Sequence, residues 1–362
     1  MKFDTRKGVH LQMTGKTRKL LIRFAAFLLI WTFAQGVLPA SAEEPAGEPA
    51  VLPLDFSGGM AMDRNGFGGG WSYEDPTISV SITRNTASLD KGNCVYWVAS
   101  IKIKHASQLR TMAANGFEFS GDVNGSKMAK RVNAVLAISG DSYNYTGHGL
   151  IVRQGRVYLN ALQGDRDVLV VDEDGDFHIV TLANRGDIGP TIKGKKVINT
   201  FFFGPALVLN GKAVWNMSQL NLNDDMRAYD GRQRMCIAQV GPLEYKCICC
   251  GPPENGSVGM TIPQFAQLVA SLGVQTAYNL DGGYTTKMYF AGTLVNDISK
   301  TDRPITDIIY FASALGADSS AASQYSSGGE TGGETGVIVS VYPQPVYPQT
   351  EQRNDNLTII PQ

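Results

Sequence analysis

Short apolar runs separated by glycine-rich turns dominate this chain, and that rhythm limits it to a sheet-based fold. Glycine occurs 40 times in 362 residues, which suits a chain that reverses direction often. Alternation in Thr77–Ile82 and Cys94–Ile103 predicts two strands joined by a polar turn around Asp90–Asn93. Val132–Ile138 reads as a buried strand ending at Ser139-Gly140-Asp141, with hairpin turns following at Arg153-Gln154-Gly155 and Asp174-Gly175. Strands are also expected over Val197–Phe203 and Ala206–Leu209, then in a Cys236–Cys250 hairpin turning near Gly241-Pro242. Helical spacing marks Ile262–Leu272, with Pro263 near its start and Gly273 just past its end. A second, short helix is predicted over His105–Ala114, where Leu109, Met112 and Ala113 share a face. Strands outnumber helices and mostly connect as hairpins. The pattern predicts an α+β fold: a mixed, largely antiparallel sheet with a few packed helices in a single catalytic-type domain.

Both ends differ in character from this middle. Lys2, Arg6, Lys7, Lys16, Arg18, Lys19 and Arg23 precede an apolar run, Phe24–Ala34, and Ala40-Ser41-Ala42 offers small residues for cleavage. That arrangement predicts a signal peptide over residues 1–42 and a secreted or cell-surface protein with no stable membrane insertion after cleavage. Loss of those seven basic residues and of Asp4 takes the formal charge from −1 to −7. An acidic exported chain without a basic cluster excludes nucleic acid as the expected partner. Residues 43–72 are rich in Pro, Gly and Ala and read as a flexible leader. Residues 313–362, with Gly328–Thr335 and a repeated Val-Tyr-Pro-Gln, read as a low-complexity disordered tail. The catalytic-type domain is expected between them, over residues 73–312.

Two clusters invite a metal reading. Cys247-Ile248-Cys249-Cys250 lacks the paired C-x-x-C spacing of zinc sites and has no histidine nearby, so a strand of small hydrophobes is expected. A Cys236–Cys247 disulfide across the hairpin is left to geometry. Asp172–Asp176 places glycine at the fourth position rather than the sixth, which predicts a hairpin turn instead of an EF-hand loop.

The sharpest chemical signal lies in Ala277–Met288. An apolar run ends on Asp281, then come Gly282 and Gly283, then Thr285 and Thr286. Glycines beside a carboxylate let backbone N–H groups approach a ligand, although an Asp-Gly hairpin turn would have the same residues. Asp141 ends another apolar strand, with strand capping as the alternative role. Arg234 opens a β-run otherwise poor in charge; its planar fork suits bidentate phosphate binding, and a structural ion pair is the alternative. Asn279 is read as a loop tie or a ligand contact. His148, between Gly147 and Gly149, lies in a loop beside Asp141 and could touch a sugar.

Ordered along the chain, Arg234–Gln239, Gly241–Tyr245, Ser257–Thr261, Asn279–Gly283, Leu294–Asn296 and Arg303–Tyr310 resemble the phosphodiester glycosidase family. Ala137–Asp141, Gly149–Gly155 and Phe203–Leu207 fit the same pattern, so the resemblance spans roughly Tyr73 to Ala312. It implies hydrolysis of a sugar-1-phosphodiester at the anomeric carbon, with a glycan or sugar phosphate as partner and no cofactor; any metal is left open. It assigns Asp281, Asp141 and Arg234 to catalysis. Gly282, Gly283, Thr285, Thr286, Asn279, His148, Asn296 and Arg303 are assigned to substrate binding. There are departures. Tyr284 and Lys287 interrupt the serine-rich continuation, and Cys250-Gly251-Pro252-Pro253 stands where the family has Asp-Gly-Arg. Tyr284 could stack on a sugar ring and Lys287 could restore the missing charge. The alternative on the same fold is a non-catalytic glycan-binding or exopolysaccharide-assembly protein.

Overall fold

The computed structural model describes residues 49–117, 121–144, 147–184, 186–214, 227–326 and 358–359. The expected signal peptide, part of the 216–232 connector and nearly all of the tail beyond Ser326 lie outside them. The main sheet contains β1 (Trp71–Asp75), β2 (Ile78–Leu89), β3 (Gly92–Ile103), β11 (Ala206–Leu209), β12 (Lys212–Ala213), β13 (Met235–Gly241), β14 (Glu244–Cys250) and β15 (Thr276–Leu280). Its order is β1-β2-β3-β14-β13-β15-β11-β12, and β19 (Thr358–Ile359) adds to β2. A second sheet runs β17-β16-β5-β18-β4, from Thr293–Leu294, Met288–Phe290, Ala134–Ser139, Asp307–Ala312 and Leu109–Ala113. A three-stranded sheet, β10-β8-β9 (Val197–Phe201, Val168–Asp172, Phe177–Val180), and the β6–β7 hairpin (Gly149–Arg153, Arg156–Ala161) complete the strands.

Every pairing among the described strands is antiparallel, simpler than the mixed sheet expected. The reason is topological. Helix α3 (Ile262–Ser271) carries the chain from β14 to β15, but β13 lies between those two strands and runs against both. Thr261 and Gln264 cap α3 reciprocally, Pro263 starts it, and Gly273 ends it at φ +75°. Its apolar face, including Phe265 and Leu268, packs on one side of the main sheet with Cys94, Cys236 and Cys250. The other side meets the second sheet through Ile101, Ile237, Leu280, Ile138 and Ile309. Helix α1 (Gly125–Arg131) covers the far side of that second sheet; α2 is the short Ile188–Ile192.

Three expectations need correction. His105–Ala114 is not a helix: a 3-10 turn over Ala106–Gln108 leads into β4, whose five residues are all buried and pair with β18. Burial on both faces removed the alternation that would have marked a strand. Part of the leader packs on the domain around Val51 and Leu52, while much of Asp55–Trp71 stays exposed. Val51 and Leu52 are buried, and Arg110 donates to the carbonyls of Pro53 and Asp55. The first part of the tail also packs, since Ser313, Ala321 and Tyr325 are buried.

The cysteines settle the disulfide question within the hairpin. Cys236 faces α3 whereas Cys247 faces the inter-sheet core, so they sit on opposite sides of the sheet and cannot join. All five cysteines are buried free thiols. The Asp172-Asp174-Asp176 cluster is a hairpin turn as expected: Asp172 Oδ1 accepts from the N–H groups of Asp174 and Asp176. Lys195 Nζ sits 2.9 Å from both Asp172 and Asp174, so an internal cation neutralises the group.

Candidate active site

Two strand ends meet where the sheets adjoin. Met235 pairs with Leu280, which sets Arg234 and Asp281 side by side just beyond β13 and β15. Across from them β5 ends at Ser139, and the Asp281 N–H donates to the Gly140 carbonyl at 3.3 Å. Ser142 Oγ donates to Asp281 Oδ2 at 2.5 Å. Ser142 holds φ +49°, an uncommon conformation for a non-glycine residue, and its own N–H donates to Asp307 Oδ1 at 3.2 Å. Gly140 has no alternative here, because any Cβ would overlap Asp307 Oδ2.

Three carboxylates therefore surround one turn, and their surroundings differ. Asp141 is fully enclosed: Oδ1 accepts from Arg153 Nη2 at 2.7 Å and Oδ2 from the Phe202 N–H at 2.8 Å. The Arg153 guanidinium lies 5.2 and 4.9 Å from the ring centres of Phe117 and Phe201. Asp307 is also buried. Desolvation, then the nearby Asp141 charge, push its pKa up to about 7, against the pull of Arg153. Asp281 alone keeps partial exposure. Packed atoms around its carboxyl raise its pKa, opposed by hydrogen bonds from Ser142, Thr285 and the Gly282 N–H and by the charge of Arg303.

The glycine pair serves packing more than ligand approach. The Gly282 N–H bonds the Asp281 carboxylate, and a Cβ there would sit 2.8 Å from the Gln233 carbonyl. The Gly283 N–H donates to that same carbonyl at 3.0 Å, with φ +63°. Both N–H groups expected to meet a ligand are thus engaged. Thr285 Oγ1 donates to the Gly282 carbonyl at 2.7 Å. Thr286 Oγ1 is buried without a hydrogen-bond partner among the described residues.

The other expected residues divide into near and supporting groups. Arg303 is exposed and close enough for its charge to act on Asp281. Tyr284 is 48% exposed on the same loop. Arg234 turns inward: its Nε donates to the Met260 carbonyl and its Nη2 to those of Arg227 and Asp230, each at 2.9 Å. Burial draws its pKa down to about 10. Asn279 Nδ2 ties down the Gly204 carbonyl at 2.8 Å. Asn296 clamps the loop, accepting from the Met288 N–H and donating to the Thr286 carbonyl. His148 Nε2 lies 2.8 Å from the Asp165 carboxylate, and its ring meets that of Phe202. Lys287 is buried, with Nζ 3.0 Å from Asp302.

Sequence reading did not single out Ser142, Arg153 or Asp307, although Arg153 and Asp307 sit inside segments quoted for the resemblance and Ser142 directly follows one. A cavity of about 840 Å³ lined by Phe67, Tyr73, Lys102, Val240 and Tyr245 lies at the opposite ends of β13 and β14. The carboxylates stand at the strand ends, where loops build sites on a rigid sheet.

Comparison with known proteins bears on this arrangement. The catalytic domain of zebrafish N-acetylglucosamine-1-phosphodiester alpha-N-acetylglucosaminidase, auto-inhibited by its pro-peptide, shares the fold with a TM-score of 0.54 and 16% identity. The match covers 70% of this chain and 86% of that one. A hypothetical protein from Synechocystis matches with a TM-score of 0.48 and 14% identity, over 65% of this chain and 62% of its own. No curated protein sequence matches. The family model for phosphodiester glycosidases matches residues 132–312, half of the chain and the whole of the carboxylate cluster. The chain belongs to the phosphodiester glycosidase family.

Proposed function

We propose that this chain is an exported hydrolase that cleaves the glycosidic bond of a sugar-1-phosphodiester in an envelope or extracellular glycan. One observation carries the proposal: Asp281 is the one aspartate of the cluster that keeps partial exposure, and it is oriented by Ser142 beside the exposed cation of Arg303. The zebrafish relative is named for N-acetylglucosamine-1-phosphodiesters, and the phosphodiester class is what we carry over.

Asp281 acts as general base. Its raised pKa moves it toward neutrality, where a base is most effective. Water attacks the anomeric carbon and gives its proton to Asp281. The bond from that carbon to the phosphate oxygen breaks, and its electron pair leaves with the phosphate. A phosphate monoester departs readily, so the need for a general acid is smaller than in ordinary glycosidases. Arg303 receives the departing phosphate, and Tyr284 stacks on the sugar. Asp141 and Arg234 act here as positioning groups, because their polar atoms already serve Arg153, Phe202 and three backbone carbonyls.

Export rests on the basic N-terminus, Phe24–Ala34 and Ala40–Ala42. Among the described residues no helix is long and apolar enough to cross a membrane. The inward commitment of Arg234 and Lys287 favours a second possibility, a glycan-binding or exopolysaccharide-assembly protein. Incubation with a chromogenic sugar-1-phosphodiester separates the two. Turnover is expected; retention on a glycan column without release of chromophore would support the binding protein.

A further inference from the structure

We propose that Lys287 is a positioning residue: its ion pair with Asp302 anchors the 297–304 segment and so sets where Arg303 meets the departing phosphate, a role that rests on the hydrolase reading above. Lys287 has no exposed surface, and its Nζ lies 3.0 Å from Asp302 Oδ1. Among the described residues that carboxylate is its one ion-pair partner, and Nζ makes no well-aligned hydrogen bond. The Asp302 side chain is 51% exposed. An enclosed ammonium answered by a single half-exposed carboxylate is a poor way to stabilise a core, because an apolar side chain of similar length would fill the space without the desolvation cost. Its use lies in what the pair joins.

Strand pairing leaves the two joined segments independent. Lys287 closes the Asp281–Thr286 loop, directly before β16. Asp302 belongs to the stretch between β17 and β18, which lies outside the sheets. Asn255 Nδ2 holds that stretch at the Ile298 carbonyl, 2.7 Å away, and Ile305 pairs with Val123 where β18 approaches. Asn296 ties its start to the Asp281 loop, accepting from the Met288 N–H at 2.7 Å and donating to the Thr286 carbonyl at 3.1 Å. Lys287–Asp302 is the second tie between the same two segments. It falls on the residue before Arg303, so it fixes the backbone from which that exposed side chain starts. A cation stabilises developing charge best when it is in place beforehand, and an exposed arginine on an untied loop would first have to be ordered. Lys287 therefore serves the phosphate through Arg303, with its own charge spent on Asp302.

The test compares the full-length parent with Lys287→Met, Arg303→Gln and the double variant. Steady-state kinetics on a chromogenic sugar-1-phosphodiester, calorimetric affinity for inorganic phosphate, Tm and hydrogen exchange are measured on each. Lys287→Met should raise KM and weaken phosphate binding a few-fold, as Arg303→Gln does, with kcat little changed. In the double variant the loss should be no greater than in Arg303→Gln alone, because Lys287 has nothing left to position. Amides of 298–304 should exchange faster in Lys287→Met while β16 and β18 stay protected. Tm should hold or rise, since methionine fills the space and Asp302 is left in water. A merely structural lysine would instead lower Tm and leave KM alone.

Asp302→Asn probes the pair from its other side. It strands the ammonium in the interior, so its Tm should fall below that of Lys287→Met; the reverse order would overturn the pair. Unchanged KM and exchange in Lys287→Met, or losses that add in the double variant, would overturn the positioning role. A parent that binds phosphate without turnover would fault the hydrolase reading alone, and the cycle is then read on phosphate affinity. A parent that neither turns over nor binds phosphate overturns both.

Discussion

Asp141 and Asp281 both end strands, both border glycine, and both meet the same turn, yet the protein treats them oppositely. Asp141 spends its two oxygens on Arg153 and the Phe202 N–H and has no exposure. Asp281 spends one on Ser142, keeps an edge to solvent, and has Arg303 within electrostatic reach. A buried, paired carboxylate holds a scaffold together; a partly exposed one with a raised pKa can exchange a proton with a substrate. The contrast separates a strand-end aspartate that builds the corner from one that can use it.

That contrast can be broken most forcefully at the enclosed end. Asp141→Ala leaves Arg153 buried without its partner, and chemical denaturation should show a loss of about 3–5 kcal/mol. A loss below about 1 kcal/mol, the level of an exposed ion pair, would remove Asp141 from the scaffold. Asp307 gives the next effect, read against pH. Its folded pKa of about 7 lies above the ordinary aspartate value, so above that ordinary value the folded state binds more protons than the unfolded state. Its contribution is fully present below about pH 4 and is lost as pH rises through about 7. Asp307→Asn should flatten the fall in stability across that window; an unchanged slope would mean that another group titrates there.

Ser142→Ala tests the orientation of Asp281. Removing a hydrogen bond to a charged group costs roughly 1.5–3 kcal/mol, so kcat/KM should fall by about ten-fold or more while Tm changes little. The smallest effect belongs to Arg303. It is exposed and screened, so Arg303→Gln should raise KM only a few-fold, with an effect of about 0.2–1 kcal/mol that shrinks further in salt.

How much of this was legible in the chain varied with the range of the interactions. Helix α3 announced itself because Thr261, Pro263, Gln264 and Gly273 are local signals. Hairpin turns at Gln154-Gly155 and Asp174-Gly175 were legible for the same reason. Helix α1 was not: seven residues without an apolar period give nothing to detect. Strand β4 mimicked a helix because Leu109, Met112 and Ala113 fit helical spacing, and only pairing with β18 shows otherwise. Asp281 could be picked out by its apolar run and glycines. Ser142 and Asp307 could not, since Ser142 reaches Asp281 across 139 residues and Asp307 across 165. Their roles exist only once two sheets bring distant strand ends together. The leader deceived through composition, for only two apolar side chains, Val51 and Leu52, are buried there, and the rest of the docking of 51–54 uses backbone groups that any sequence supplies.

The central claim is that Asp281 performs the chemistry while Asp141 holds the corner. The most direct test is turnover of a sugar-1-phosphodiester by Asp281→Asn, with its unfolding transition measured in parallel. Losing the base should cut kcat by about 10²-fold or more, roughly 3 kcal/mol of transition-state stabilisation, with Tm within a few degrees of the parent. Asparagine keeps the shape and can still accept from Ser142 and the Gly282 N–H. If Asp281 only shaped its turn, the variant would retain activity within a few-fold of the parent, and that result would contradict the account.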